Sequence, residues 1–286
     1  MRILITGTKG YIATSFSRFA EKKSKGAFST QLIDLRGDTW RDISFAPYDV
    51  LLHSAGIVHQ RETPFNQYDY YIINRDLSCE VAKKAKADGV KQLIFLSSLN
   101  VYGLTSGNIT ANTPAAPVSN YGRSKLAAES LLSALGDDAF RVAVLRPPMV
   151  YGQNCPGNFK KLCRLVSKAP FFPNYENARS MVYIENLCLH IKSIIEGRQS
   201  GLFFPRDPAP ISISEMAAAI AKAQNKHNLR LTRVFNGAIS FMSARTSIVS
   251  KLFGNLIIDP SLPDGGGKDL VGFPESVWLS VGHGRL

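Results

Sequence analysis

Apolar and polar positions fall into short alternating blocks over the first half of the chain. Residues 2–6 (RILIT) form a β-rich apolar run that stops at Gly7, the pattern of a buried strand. A helix is predicted over 11–23. Residues 31–34 (QLID) predict a second strand ending on a carboxylate, and 49–54 (DVLLHS) a third. Helical periodicity runs over 65–88 and stops at Asp88-Gly89. Residues 91–97 (KQLIFLS) read as a strand and 121–135 as a helix rich in Ala, Leu, Ser, Lys and Glu. A further strand, 142–146 (VAVLR), is stopped by Pro147-Pro148. Short apolar strands alternating with helices predict an α/β fold with a parallel, doubly wound sheet.

Past about Tyr151 the pattern loosens. Residues 215–224 predict a helix that Ser212 or Ser214 can cap, and 254–272 reads as loop around Gly265-Gly266-Gly267. The division expected is 1–152 as one domain and 153–286 as a smaller mixed α/β domain, with some later segments returning to the first.

With 286 residues, 45% hydrophobic and 20% charged, the chain has room for a sizeable core and is not a disordered composition. No apolar run reaches the roughly 18 residues of a bilayer span. The apolar start, 1–7, is too short for a signal peptide and glycine cuts it. A cytoplasmic protein without membrane insertion is therefore expected. The net charge of +12 suits an anionic partner, but the cations are scattered apart from Lys22-Lys23-Ser24-Lys25, so no nucleic acid is expected. Cys79, Cys155, Cys163 and Cys188 show no C-x-x-C spacing and read as small buried hydrophobes. His59, His190, His227 and His283 have no ligand spacing either, and no metal is expected. His53, at a strand end, reads as a packing residue.

Chemistry enters at the first turn. Thr6-Gly-Thr-Lys-Gly10-Tyr11-Ile12-Ala13 lies between the first strand and the first helix. Gly7 suits a tight turn, Gly10 lets the backbone approach a pyrophosphate, and the helix N-terminus supplies free N–H groups. Asp34, ending the second strand, can accept bonds from both ribose hydroxyls of an adenosine and would repel a 2′-phosphate. NAD is therefore expected, with NADP as the alternative because Arg36 stands two residues on. Asp42 lies where a loop can reach the adenine.

Tyr121 and Lys125 are four apart on one predicted helix, hence on one face. An ammonium near a phenol favours the phenolate, so Lys125 is expected to lower the Tyr121 pKa and suit it to proton transfer. Ser97-Ser98 ends a strand a little over twenty positions upstream, with a hydroxyl to orient a substrate oxygen.

These features together resemble the extended short-chain dehydrogenase/reductase superfamily, specifically its nucleotide-sugar epimerases, dehydratases and reductases. The resemblance runs through TGTKGYIA at 6–13, Asp34, HSAG at 53–56, Asn74, SSLNVYG at 97–103, YGRSK at 121–125 and RPPMVYG at 146–152. It implies a Rossmann-type cofactor domain. Gly7, Gly10, Tyr11, Ile12, Asp34, Ala55, Asn74 and Pro148 would line the cofactor. Ser98 and Tyr121 would be catalytic, and Lys125 would hold the nicotinamide ribose. Asn158 and Arg179 resemble ligands of a substrate diphosphate. Ala13 replaces the third glycine, Met149 stands where many epimerases carry asparagine, and the late arginine–aspartate pair has only Arg245 and Asp259 nearby. The end, 282–286, is not helical.

The activity this implies is NAD-dependent 4-epimerisation of a UDP-hexose (UDP-glucose or UDP-N-acetylglucosamine) through a 4-keto intermediate. The alternative is NAD(P)H-dependent reduction of a UDP-4-keto-6-deoxy-hexosamine for surface polysaccharide. A cofactor-sensing scaffold without turnover is a third reading, which an intact Ser98, Tyr121 and Lys125 oppose. The implied partners are a nucleotide-diphosphate sugar and a second copy. The helices at 65–88 and 121–135 could form the four-helix dimer interface the family often has.

Overall fold

The computed structural model describes residues 1–281 except 25, 59, 61, 64, 227 and 244–246, and omits the side chains of 243, 247, 248 and 251. Lys25, His59, His227, His283, Arg245 and the end 282–286, all named above, lie outside the described residues.

The chain runs β1 (Arg2–Thr6), α1 (Tyr11–Lys23), β2 (Ser29–Ile33), β3 (Val50–His53), α2 (Gln67–Tyr71), α3 (Leu77–Ala87), β4 (Gln92–Leu96), β5 (Gly107–Ile109), α4 (Asn120–Ser133), β6 (Arg141–Leu145) and β7 (Met149–Tyr151). It continues as α5 (Asn158–Lys168), β8 (Phe171–Pro173), β9 (Met181–Tyr183), α6 (Ile184–Glu196), β10 (Gly201–Phe203), α7 (Ile213–Ala223), β11 (Arg230–Thr232), α8 (Asn236–Ser243), α9 (Ser247–Phe253), β12 (Leu256–Ile258) and α10 (Phe273–Val281).

Six strands form one parallel sheet in the order β10-β6-β4-β3-β1-β2. The doubly wound parallel sheet is thus the architecture the hydrophobic pattern predicts. The chain begins at β1, steps outward to β2, then crosses back to β3. A crevice opens where that direction reverses, beyond the C-terminal ends of β1 and β3, which is where such sheets bind ligands. Alternation along β1 serves both layers. Ile3 and Ile5 join Phe16 and Phe19 of α1 on one face, while Leu4 joins Val81, Leu93 and Phe95 on the other.

Three stretches differ from the pattern-based expectation. The helix predicted over 65–88 contains one π turn at Ile72–Asp76 between α2 and α3, and this wider turn carries Asn74 fully into the interior. The loop predicted over 254–272 contains β12, which pairs in parallel with β5. Past 152, α6 returns to lie on α1 and β10 adds the sixth strand beside β6. Of the other strands there, β8 and β11 pair with each other, β9 and β12 pair with the earlier β7 and β5, all in parallel, and α7 and α10 pack together. The predicted cap is present: Ser212 and Glu215 close a reciprocal capping box on α7.

Candidate active site

The turn after β1 is built by backbone alone. Gly7 has φ +96°, a left-handed conformation that side chains resist, and its N–H donates to the Ile33 carbonyl at 2.9 Å. Gly10 is the N-cap of α1 and supplies no side-chain cap. The first N–H groups of α1, at Tyr11 and Ile12, therefore receive no side-chain cap. The Tyr11 side chain points elsewhere: its hydroxyl is buried and has no hydrogen-bond partner among the described residues.

Asp34 follows β2 and is gripped by Arg36. The guanidinium lies 3.0 Å from Oδ1 and 2.5 Å from Oδ2, and the Arg36 N–H donates to Oδ1 at 3.0 Å. This contact holds the carboxyl well below the usual carboxylate range. Arg36 thus turns toward Asp34 in an exposed pair. Asp42 is exposed at the end of a short 3₁₀ turn anchored by buried Trp40.

Below the crevice a chain of hydrogen bonds links β1, β3 and the π turn. The Thr6 hydroxyl accepts the N–H groups of Ser54 and Ala55, at 3.1 and 3.2 Å, so its own proton goes to His53 Nδ1, 3.0 Å away. Ser78 donates to the Asn74 carbonyl at 2.8 Å and takes a bond from His53 Nε2 at 2.8 Å. His53 is therefore neutral with its proton on Nε2. Burial and the charge of Lys125 push its pKa down to about 3.

Asn74, expected beside the cofactor, is fully buried. Its Nδ2 donates to the Ile57 carbonyl and to Ser124 Oγ, each at 3.1 Å, and its Oδ1 accepts from the Ile57 N–H at 2.8 Å. All three of these groups are main-chain or side-chain partners of the fold, so Asn74 clamps the loop after β3 onto α4. The clamp needs a glycine at 56, because a Cβ there would stand 2.6 Å from Asn74 Oδ1 and 3.5 Å from Lys125 Nζ.

Ser98, Tyr121 and Lys125 come together beside that loop. Ser98 caps the turn 99–102, its Oγ accepting the Asn100 N–H at 3.2 Å and the Asn100 Nδ2 at 3.0 Å, and it acts on the Tyr121 phenol to favour its charged form. Tyr121 sits in the first turn of α4, whose start is held by the Ser119 side chain and by the Glu62 carboxylate, 3.0 Å from the N–H of Asn120 and 3.1 Å from that of Tyr121. One turn on, Lys125 is 2% exposed, donates to the Leu96 carbonyl at 2.9 Å and lies 4.5 Å above the Phe95 ring. Burial pushes it down to about 8, with Glu129 acting in the opposite direction. The expected lowering of the phenol is not what the chain alone produces. Burial pushes Tyr121 up to about 12, against a smaller lowering by Ser98, while the neighbouring ammonium is directed at Leu96.

Behind these residues lies a charged group that sequence reasoning did not single out. Glu129 takes Arg146 in a fork, with bonds of 3.1 Å to Oε1 and 2.5 Å to Oε2, and also accepts the Ser97 hydroxyl. Arg146 donates its other arm to Tyr102 at 2.8 Å. Both charges are nearly buried. The spacing of Lys125 and Glu129, four apart on one helix, was the available signal.

The remaining candidates are spread out. Pro148 is buried between β6 and β7. Asn158 is exposed at the first position of α5. Arg179 is half-buried, and its Nη1 donates to the carbonyls of Gly254 at 2.7 Å and Thr105 at 3.3 Å, so it ties together the segments that lead into β12 and β5. An open cleft of about 560 Å³, lined in part by Ala178, Ser214 and Asn255, lies beside it. Asp259 serves a local turn, accepting from Ser261 N and Oγ at 2.9 and 2.7 Å.

A parallel doubly wound sheet, an uncapped helix start at its crevice and a Ser–Tyr–Lys cluster at the adjoining strand end define a nucleotide-cofactor enzyme of the extended short-chain dehydrogenase/reductase type. Residues 3–196 match the model of the NAD dependent epimerase/dehydratase family, and the chain belongs to that family. It is 30% identical over 293 residues to a UDP-glucose 4-epimerase of Vibrio cholerae, covering 91% of this chain and 87% of the relative. It is 25% identical to the N-acetyl-alpha-D-glucosaminyl-diphospho-ditrans,octacis-undecaprenol 4-epimerase of Escherichia coli O157:H7, over 78% of this chain and 72% of that one. Among solved structures, the UDP-glucuronic acid 4-epimerase of Bacillus cereus in complex with NAD superposes with a TM-score of 0.73 at 17% identity, covering 98% and 97% of the two chains.

Proposed function

We propose that this enzyme interconverts the two C4 epimers of a UDP-hexose through a 4-keto sugar. The observation that carries the reading is the placing of Tyr121 and buried Lys125 one turn apart on α4, with Ser98 at the turn after β4 acting on the Tyr121 phenol. NAD, when bound, accepts and returns a hydride at C4. Gly7, Gly10 and the first turn of α1 fit its pyrophosphate, and Asp34 fits a ribose diol. Ala55 and Pro148 close the sides, and Asp42 stands at the adenine end. Tyr121 takes the proton of the sugar 4-hydroxyl and later gives it back, while Ser98 holds the same oxygen. Lys125 holds the nicotinamide ribose and keeps positive charge near the phenol. Asn158 and Arg179 hold the diphosphate; among the described residues only Nη1 of Arg179 is used, on its two carbonyls, which leaves Nε and Nη2 for a phosphate. On this reading 1–152 and the returning stretch 184–203 make the cofactor unit. A cytoplasmic homodimer joined through α3 and α4 completes it.

A second reading takes the sugar diphosphate as lipid-borne, as the name of the Escherichia coli relative states for that protein. The basic and apolar face described below favours it.

The test is incubation with UDP-glucose, UDP-N-acetylglucosamine and a 4-keto-6-deoxy UDP-sugar, with and without NADPH. Interconversion without net cofactor consumption supports epimerisation. Stoichiometric oxidation of NADPH, with no epimer formed, would replace it by the 4-keto reductase.

A further inference from the structure

The scattered cations of the sequence are gathered by the fold. Residues 158–173 contain Lys160, Lys161, Arg164 and Lys168 and no Asp or Glu, and 222–235 contain Lys222, Lys226, Arg230 and Arg233 and again none. The two acid-free stretches are stitched into one surface. Gln224 donates to the Cys163 carbonyl at 3.2 Å, the Arg230 N–H to Pro170 at 3.0 Å, and β8 pairs with β11. Lys226 is turned inward, onto the carbonyls of Val166, Ser167 and Ala169 at 2.7 to 2.9 Å, where it caps the C-terminus of α5. Arg233 pairs with Glu176. The other six are exposed.

Apolar side chains on the same elements are exposed as well. α5 buries Phe159, Leu162 and Val166, and its outer face presents Lys161, Arg164 and Lys168 around Leu165, which is 54% exposed. Phe171 is 50% exposed at the start of β8, and Val234 is 84% exposed in the turn after β11. Water gives no return for exposing these groups. A second copy would bring the same cations against each other. A nucleic-acid backbone would use the cations but gains nothing from Leu165 or Val234. The boundary between anionic headgroups and acyl chains takes both: cations at the phosphates, apolar tips just below.

We propose that the face formed by α5, the β8–β11 pair and the turn 233–235 docks on the surface of an anionic lipid bilayer. Docking is peripheral, and no helix among the described residues is long and apolar enough to cross a membrane. The face begins at Asn158, so the docked surface adjoins the candidate substrate region. The proposal does not depend on which sugar the enzyme takes.

The test is co-sedimentation of the full chain with vesicles of phosphatidylcholine alone or mixed with phosphatidylglycerol, at low and high salt. Partition into the mixed vesicles at low salt should exceed that into neutral ones at least tenfold. The triple variant Lys161→Ala/Arg164→Ala/Lys168→Ala should bind about 100-fold more weakly, at roughly fivefold per cation. Phe171→Ser/Val234→Ser should remove the part of binding that survives high salt, where charge is screened. NAD binding and melting temperature, unchanged in both variants, certify the fold. Equal binding to both vesicle types, binding that neither variant alters, lipid-free self-association abolished by Phe171→Ser/Val234→Ser, or duplex DNA binding without vesicle binding would each overturn the proposal.

Discussion

Lys125 donates its ammonium to the main-chain carbonyl of Leu96, 2.9 Å away across the end of β4. The bond fixes a cation beneath the loop that carries Gly56 and next to the strand that leads to Ser98. Burial disfavours the charge and lowers the group to about 8. Two consequences of opposite sign follow. The charged form predominates below pH 8 and is lost above it, so turnover that needs the cation falls on an alkaline limb near that pH. Stability runs the other way: the unfolded chain holds this proton up to the ordinary lysine range, so folding gains as pH rises from about 8 toward 10.5. Lys125→Met should therefore lower turnover at least about 100-fold and raise the unfolding free energy, measured in urea, by about 1–3 kcal/mol. A variant that is both active and no more stable contradicts this account.

Tyr121→Phe removes one hydroxyl and leaves the helix start intact. Turnover should fall by about 10²–10⁴-fold while NAD affinity, read by fluorescence quenching, changes little. Near-normal rates would take Tyr121 out of the chemistry.

Asp34→Ala should do more than remove a ribose ligand, because it releases Arg36. The freed guanidinium suits a 2′-phosphate, so the ratio of NADP to NAD affinity should rise by roughly tenfold or more, about 1.4 kcal/mol. Titration with both cofactors checks it, and an unchanged ratio means the carboxylate does not face the ribose.

Glu129→Ala leaves Arg146 buried without its counter-charge. The expected loss is about 3–5 kcal/mol in chemical unfolding. Replacing both residues by apolar ones of similar size should recover most of it. A single variant as stable as the parent would mean that the pair opens to water.

His53 is neutral in the folded chain and held down to about 3 by burial, whereas unfolded it titrates near 6.5. Its stabilising contribution is complete above about 6.5 and is lost progressively as pH falls toward 3. His190, also buried and lowered, adds to the same slope. Urea midpoints measured across this range should decline steadily, and His53→Gln should flatten the decline without abolishing it.

Much of the cofactor half is legible in the sequence because its signals are local. A five-residue apolar run, a glycine that must take positive φ and a helix that starts at once predict β1, the turn and α1 to the residue. Tyr121 and Lys125 share a helix face through spacing alone. The later half resists such reading: three-residue strands such as β5 and β12 carry no period, and parallel partners 149 positions apart leave no local mark.

What the sequence determines by itself is therefore the order of elements around the first crevice and the residue types placed there, because backbone preference and periodicity act over a few residues. Which atoms those side chains meet is decided only in three dimensions. The turning of Lys125 to Leu96, the closure of Asn74 onto Ile57 and Ser124, the Glu129–Arg146 fork and the gathering of cations on α5 and β11 each join residues far apart in the chain. Their energies come from burial and direct contact, which exist only once the layers have packed.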